Sequence, residues 1–169
     1  VIDFPDPAKP HEVGHYGTPD RARGVAATGN LALVADYVAG LRVIDVTNPT
    51  DPQEVGSFDT PGHAVGVAVS GDLALVADAW RGLRVIDVSD PTDPQEVGFF
   101  DTPGVALGVA VTGNLALVAA GDAGLRVIDI SNPATPHDVG FFDTPGGAWD
   151  VAVAGELALV AGGDAGLAI

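Results

Sequence analysis

Short apolar segments separated by glycine, proline and aspartate run through the whole chain. In one representative stretch these segments are Leu41 to Val46, Glu54 to Phe58, Ala64 to Val69 and Leu73 to Asp78, each long enough for one β-strand. The prolines and glycines between them favour turns. No segment has the apolar period and the caps of an amphipathic helix. The pattern therefore predicts an all-β chain of short strands joined by tight turns.

The strands belong to an internal repeat of 42 residues. The motif that begins at Gly40 and ends at Asp45 returns at positions 82–87 and 124–129, and the interval is the same each time. A fourth copy is split, with its first half at 166–169 and its second half at 1–3. The chain is therefore predicted to be one domain, 1–169, made of the repeats 1–42, 43–84, 85–126 and 127–169.

Each repeat must form a sheet that is covered on both sides. Strands such as Leu73 to Asp78 are apolar on both faces, whereas a strand with one face in water would alternate apolar and polar residues. Four antiparallel strands per repeat, at a period of about 40 to 45 residues, are typical of a β-propeller blade. The small residues of Gly66 to Val69 favour the innermost strand, and Glu54 to Phe58 the outermost. The fold class predicted is an all-β propeller of four-stranded antiparallel blades in a four-bladed ring.

The two chain ends occupy the same repeat position, which leaves the closure of the ring open. Residues 166–169 and 1–4 would be two halves of one strand. If both halves come from one molecule, the result is a closed four-bladed ring, which neighbouring termini favour slightly because they cost little loop entropy. If they come from two molecules, the result is an eight-bladed homodimer. The third alternative is part of a larger propeller.

Composition excludes several classes of function. The chain carries 7 basic and 23 acidic residues, a net charge of −16, so its field repels nucleic acid. It has no cysteine, which excludes thiolate metal sites and a cysteine nucleophile. The segment Thr102 to Gly121 has no charged side chain and is apolar enough to suggest a membrane span. Its glycines and its strand alternation argue against one.

The recurring motif resembles that of a known repeat family. The motif of the LVIVD-repeat β-propellers is similar to Leu83-Arg84-Val85-Ile86-Asp87-Val88, followed by Asp90-Pro91 and Pro94. In the fourth copy, Ala168 stands at the position of the arginine. The resemblance covers all four repeats. It implies bacterial or archaeal surface or secreted proteins with no general catalytic activity, and it does not by itself imply a ligand.

Two segments of the repeat differ among the copies, and both should lie at one end of the blades. One occupies 21–24, 63–66, 105–108 and 147–150; the other occupies 37–39, 79–81, 121–123 and 163–165. Aromatic residues and arginine anchor interfaces, so this face is the candidate recognition surface. The simpler alternative is that these side chains only cap their blades or fill gaps in an imperfect ring. The candidate binding residues are Arg21, Arg23, Tyr37, His63, Trp80, Arg81, Trp149 and Asp150.

The opposite end of the blades carries repeated aspartates and asparagines. Asp45, Asn48 and Asp51 could offer oxygen ligands to calcium, but an Asx-Pro sequence favours a structural turn, and no copy has the pattern of an EF-hand loop. Structural turns are the preferred interpretation, and no cofactor or metal site is predicted. Arg42 and its two counterparts should pair with nearby aspartates of the Asp36 and Asp78 type.

No catalytic motif stands out. None of the four serines lies in a nucleophile elbow, and no histidine pair has the spacing of a zinc helix. His63 with Asp150 is the one acid–base combination on the candidate face, and an isolated pair is weak support for an active site. The chain is therefore not predicted to be an enzyme.

The sequence favours a non-catalytic scaffold or interaction module, extracellular or at the cell surface. Its expected partner is a protein or a carbohydrate bound at one face, and a homodimer by ring completion is a further expectation. Two alternatives stay open. One is a propeller hydrolase with a metal or acid–base site at the channel mouth, and the other is a fragment of a larger propeller with only a structural role.

Overall fold

A computed structural model describes all residues, 1–169, as short β-strands and turns with one three-residue 3-10 turn at Gly163–Ala165. The strands are β1 (Ile2–Asp3), β2 (His11–Glu12), β3 (Gly24–Thr28), β4 (Leu31–Ala35), β5 (Leu41–Asp45), β6 (Gln53–Phe58), β7 (Gly66–Ser70), β8 (Leu73–Ala77), β9 (Leu83–Asp87), β10 (Gln95–Phe100), β11 (Gly108–Thr112), β12 (Leu115–Ala119), β13 (Leu125–Asp129), β14 (His137–Phe142), β15 (Asp150–Ala154), β16 (Leu157–Ala161) and β17 (Leu167–Ala168). The molecule contains no helix long and apolar enough to cross a membrane.

The strands form antiparallel sheets whose order follows the sequence. The first blade is β3 to β6, the second β7 to β10, the third β11 to β14, and the fourth β15 to β17; β1 and β2 form a separate N-terminal hairpin. Ser70 pairs with Leu73 across a tight turn in which Gly71 has a positive φ of 58°, and Leu73 then pairs with Asp87. A glycine is favoured there because this backbone conformation strains other residues.

The blades stack because each sheet has two apolar faces. We call them the leading face, which meets the next blade, and the trailing face, which meets the previous one. In the first blade the leading face contains Leu33, Ala35, Leu41 and Val43, and the trailing face of the second blade contains Val67, Ala74, Val76 and Ile86. The same pairing recurs between the second and third blades, and between the third and fourth.

The inner strands bring the blades around one channel. β3 contacts β7, β7 contacts β11, and β11 contacts β15, while β6, β10 and β14 lie at the outer edges of their sheets. The prediction of an all-β, four-bladed propeller built from four repeats of about 42 residues is confirmed. The predicted order of strands from the centre outwards is also found.

The seam of the ring lies between the fourth and first blades. β17 pairs with β16 and β1 pairs with β2, but the two terminal strands, predicted to be halves of one strand, do not share a sheet. No contact comparable to those between the other inner strands joins β15 and β3. The N-terminal hairpin instead lies against the first blade, where Val1 and Tyr16 border the same groove as Val34 and Ile44.

The outer strands approach the next blade closely at a glycine. A Cβ placed on Gly56 would overlap the carbonyl oxygen of Pro91, and one placed on Gly98 would overlap that of Pro133. Gly14 in the N-terminal hairpin stands in the same relation to Pro49. These glycines therefore set the distance between the outer parts of successive blades.

The repeated arginines hold the outer part of the first three blades together. Arg42 lies 3.4 Å from Glu54, and Arg126 lies 3.5 Å from Asp138. Arg84 lies 3.7 Å from Asp78, as predicted, and 3.6 Å from Glu96. The prediction of an Asp36 partner for Arg42 is not met: its acidic partners are Glu54 and Asp59, because the outer strand brings these carboxylates over the guanidinium.

The aspartates at the far end of the blades accept hydrogen bonds from their own turns. The backbone N–H groups of Thr47, Ser89 and Ser131 donate to Asp45, Asp87 and Asp129 at 2.7 to 2.8 Å. These side-chain and backbone hydrogen bonds lower the pKa of all three carboxyl groups. The interpretation of these residues as structural turns thus has a direct geometric basis.

Asp78 is fully buried beside the opposite end of the second blade. The Thr60 hydroxyl donates to it at 2.7 Å, and the backbone N–H of Gly62 donates at 2.8 Å. Burial nevertheless raises its pKa, because the hydrogen bonds and Arg84 only partly offset the loss of water.

We expect Gly56→Ala to destabilise the fold by about 1 to 3 kcal/mol, because the new methyl group forces the first and second blades apart. Gly17→Ala is the matched control, since a Cβ at Gly17 meets nothing within 4 Å and its φ is not positive. Urea unfolding followed by circular dichroism measures both. Equal stabilities of the two variants would contradict the close approach described for Gly56.

Asp78→Asn should become progressively more stable relative to the wild type as pH rises. The raised pKa means that the folded wild type holds the Asp78 proton more tightly than the unfolded chain does, and this advantage disappears as pH climbs through the raised pKa. The lost hydrogen bond from Gly62 adds an offset that does not change with pH. Thermal unfolding of both proteins between pH 3 and 7 measures the trend, with Asp122→Asn, at an exposed site, as control. A stability difference that is independent of pH would contradict the burial argument.

Candidate functional site

Backbone bridges between neighbouring blades bring the two variable segments of the repeat together. Tyr37 pairs with Ala64, Ala79 with Ala106, and Gly121 with Ala148, each through isolated antiparallel bridges. In the first of these bridges the Tyr37 N–H donates to the Ala64 carbonyl at 3.0 Å and the Ala64 N–H donates back at 2.9 Å. The loop between the second and third strands of one blade is thereby fixed beside the segment that leads into the inner strand of the next blade. We call the surface formed by these paired segments the loop face.

Tyr37 holds a backbone conformation that favours glycine. Its φ is 50°, and Ala79 at the next repeat has 48°, whereas the third and fourth repeats carry Gly121 and Gly163 there with 55° and 57°. A non-glycine residue in this region is strained, and such strain is often found at functional sites. This conformation was not among the features predicted from the sequence, although Tyr37 aligns with Gly121 and Gly163 in the repeat.

A second carboxylate network holds the Tyr37 loop. The buried Asp36 accepts the backbone N–H of Asp20 at 2.9 Å, and the Asp20 carboxylate accepts the backbone N–H of Val38 at 3.0 Å. These bonds tie the segment that carries Arg21 to the loop that carries Tyr37. Neither aspartate was among the predicted site residues, because only the folded loops show their backbone partners.

Five of the predicted residues form one cluster on the loop face, which we call the loop-face cluster: Arg21, Arg23, Tyr37, His63 and Trp80. The ring centroids of Tyr37 and His63 are 4.3 Å apart, and those of His63 and Trp80 are 5.4 Å apart in an edge-to-face arrangement. The guanidinium carbons of Arg23 and Arg21 lie 5.3 and 5.9 Å from the centre of the Tyr37 ring. Both distances fall within the range of cation–π attraction.

The loop-face cluster presents free positive charge on a strongly acidic chain. Arg42, Arg84 and Arg126 are engaged by carboxylates of the outer strands, but neither Arg21 nor Arg23 makes an ion pair. The Nδ1 atom of His63 is buried and has no hydrogen-bond partner. Trp80 is exposed over most of its surface, so the cluster ends in an open aromatic edge. The arrangement suits a ligand that supplies both a carboxylate and a flat apolar surface.

The remaining predicted residues lie beside this cluster. Arg23, Trp149 and Asp150 border a cavity of about 320 Å³ at the centre of the ring, together with glycines and aliphatic residues of the inner strands. Asp150 accepts the backbone N–H of Val151 at 2.9 Å. The aliphatic part of Arg81 lies against Gly62, on the same face as Trp80. All eight predicted residues are thus near the loop face or the channel mouth, in two adjacent groups.

The acid–base pair considered from the sequence is not assembled. No hydrogen bond or ion pair joins His63 to Asp150, because the imidazole lies between Tyr37 and Trp80 while the carboxylate faces the central cavity. No three His, Asp or Glu side chains lie close enough together to hold a metal ion. The geometry of the loop face therefore suits binding through aromatic rings and guanidinium groups.

Two computationally designed proteins are among the solved structures that share this fold. The chain superposes on the computationally designed Ika4 protein with a TM-score of 0.71 and 12% identity, over 90% of this chain and 91% of that one. On the computationally designed Ika8 protein the TM-score is 0.67 with 11% identity, over 86% of this chain but only 44% of that one. At such identities the likeness concerns the fold alone. A search of curated proteins finds no match.

The repeat itself identifies the family. The LVIVD repeat matches at residues 20–60, 61–102, 103–144 and 145–169, which together cover most of the chain. The matches follow the blades, since each begins in the segment leading into an inner strand, and the first three end beyond an outer one. The resemblance seen in the repeated Leu-Arg-Val-Ile-Asp motif is therefore confirmed, and the chain belongs to the LVIVD-repeat family.

Proposed function

We propose that this propeller is a non-catalytic interaction module that binds a protein or carbohydrate partner at its loop face. The observation that supports it most directly is the loop-face cluster, where two arginines without carboxylate partners lie over Tyr37 on a chain of net charge −16. Arginine and aromatic side chains are the residues that most often dominate binding energy at interfaces. The blades supply the rigid support that such a surface needs.

The partner's chemistry follows from the groups that face solvent. A guanidinium binds a carboxylate through parallel N–H donors, and the exposed Trp80 ring can stack on an apolar side chain or a sugar ring. An acidic peptide and an acidic oligosaccharide share this combination of carboxylate and flat surface. The acidic remainder of the chain would repel either partner elsewhere, which restricts binding to the loop face.

The setting that we propose is extracellular or at the cell surface. It rests on what the resemblance to the LVIVD-repeat family implies, and a chain without cysteine folds independently of the redox state of its surroundings. The loop face needs neither a metal nor a cofactor for the binding proposed.

Arg23→Gln should weaken binding about tenfold, because it removes the guanidinium closer to Tyr37, and Trp80→Ala should do the same by removing the open aromatic edge. Binding would be measured by calorimetry with a glutamate-rich peptide that contains tyrosine and with an oligosaccharide of uronic acids. The peptide and sugar arms separate the two kinds of partner.

Lys9→Gln is the control, because it removes the same charge from an exposed residue of the N-terminal hairpin, outside the candidate binding residues. It should leave affinity within about twofold of the wild type. Equal losses in Arg23→Gln and Lys9→Gln would mean that diffuse charge alone attracts the probes. The absence of binding to both probes would contradict the proposed recognition of acidic ligands.

A further inference from the structure

Four equivalent residues, one from each blade, border the central cavity. They are Arg23, Val65, Leu107 and Trp149, and each directly precedes the inner strand of its blade. The backbone N–H of each donates to the alanine carbonyl at the end of the second strand of the same blade, at 2.8 Å in all four cases. We call these four residues the rim. The rim therefore presents one guanidinium, two aliphatic side chains and one indole from fixed backbone positions.

The inner strands begin with glycine in three blades and with aspartate in the fourth. A Cβ placed on Gly24 would lie 3.1 Å from the Cα atom of Gly66, and one placed on Gly66 would lie 3.2 Å from that of Gly108. Side chains at these positions would crowd the next blade. Asp150 carries the only side chain at this level, and a Cβ on Gly108 would overlap its carboxylate. The glycines thus leave free the space in which the Asp150 carboxylate lies.

The central cavity is bordered by two opposite charges that do not neutralise each other. Arg23 makes no ion pair, and its guanidinium carbon lies 5.3 Å from the centre of the Tyr37 ring. Asp150 accepts one hydrogen bond, from the backbone N–H of Val151 at 2.9 Å, and has no basic partner. Both charges are therefore free to pair with the opposite charges of a ligand.

The volume and the walls of the cavity limit the size of that ligand. The cavity measures about 320 Å³, at the small end of the range of roughly 300 to 1,000 Å³ that is common for ligand sites. Val65, Leu107 and the Trp149 ring, which is 59% exposed, give it an apolar side. A molecule about the size of one amino acid suits this space, and an oligosaccharide exceeds it.

We propose that the central cavity binds a free α-amino acid with an apolar side chain, for which leucine is a suitable probe. The Arg23 guanidinium donates to the carboxylate of the amino acid, and the Asp150 carboxylate accepts from its ammonium group. Leu107 and Trp149 contact the apolar side chain of the ligand and remove it from water.

The two cavity charges together select a zwitterion. A ligand without the ammonium group places its carboxylate near Asp150 with nothing to offset the repulsion. A ligand without the carboxylate places its ammonium group near Arg23 in the same way. Only a molecule that carries both charges pairs each of them with an opposite one.

This site is separate from the recognition surface proposed above. The rings of Tyr37, His63 and Trp80 do not border the cavity, and Asp150 is not part of the loop-face cluster. The two sites share only Arg23. Binding of an amino acid in the cavity is therefore a further activity, and it does not depend on the acidic partner proposed for the loop face.

Calorimetry with leucine and three analogues tests the proposal. Leucinamide lacks the carboxylate, N-acetyl-leucine lacks the ammonium group, and glycine keeps both charges but lacks the side chain. Leucine should bind, and each analogue should bind at least tenfold more weakly, because each loses one of the three contacts. No binding of leucine, or equal binding of leucine and either blocked analogue, would overturn the proposal.

Two variants test the roles of the charged groups. Asp150→Asn and Arg23→Gln should each weaken leucine binding at least tenfold, and the asparagine keeps an acceptor for the Val151 N–H. Asp164→Asn is the matched control, because it removes an exposed carboxylate of the loop face that does not border the cavity. It should leave the affinity within about twofold of the wild type. Unchanged leucine binding in Asp150→Asn would overturn the assignment of the ammonium site.

Tryptophan fluorescence tests the location of the site, because the chain has only two tryptophans. In Trp80→Phe the remaining Trp149 should change its emission as leucine is added, with the dissociation constant that calorimetry gives. In Trp149→Phe the emission of Trp80 should stay unchanged. Leucine binding without a response of Trp149 would place the ligand outside the cavity and overturn the proposal.

The same proteins separate this proposal from the one for the loop face. Trp80→Ala should weaken binding of the acidic peptide and leave leucine binding within about twofold of the wild type. Asp150→Asn should have the opposite effect. Peptide binding that depends on Trp80, with no leucine binding, would overturn the amino-acid site alone. Circular dichroism of each variant verifies that the blades stay folded.

Discussion

The packing of one apolar sheet face against the next is the interaction on which the whole molecule depends. A sheet of this composition is apolar on both faces, so a blade is stabilised by each neighbouring sheet that covers one of them. Within the chain, leading faces with Leu33 and Leu41 meet trailing faces with Val67 and Val76, and the pattern recurs along the arc. The channel, the loop face and the exposed ends are all consequences of this single contact being repeated.

The same repetition explains how a recognition surface arises on a uniform scaffold. The bridges at Tyr37, Ala79 and Gly121 fix the loops in equivalent places, whatever side chains they carry. Substituting arginine and aromatic residues into those places changes the surface without changing the core. The cost is local, as the positive φ of Tyr37 shows, and the neighbouring hydrogen bonds of Asp20 and Asp36 hold the strained loop.

Period and pattern were enough to predict the repeat, the strand order and the shared face of the two variable segments, because these follow from alternation and connectivity. The details that sequence could not supply depend on side-chain reach across strands. Arg42 meets Glu54 and Asp59, not Asp36, and His63 stacks between Tyr37 and Trp80 without touching Asp150. Nor could spacing alone show that the terminal strands would lie in separate sheets, since both arrangements satisfy the same repeat.

Residue-resolved hydrogen exchange tests the dependence on neighbouring blades most directly. β8 and β16 have the same sequence, Leu-Ala-Leu-Val-Ala, but β8 lies between two covered faces and β16 has one open face. The amides of Val76 and Ala77 should exchange far more slowly than those of Val160 and Ala161, the two residues of β16 that also have a paired strand on each side. Equal protection of the two identical strands would contradict the account, because their stability would then not depend on the blade beside them.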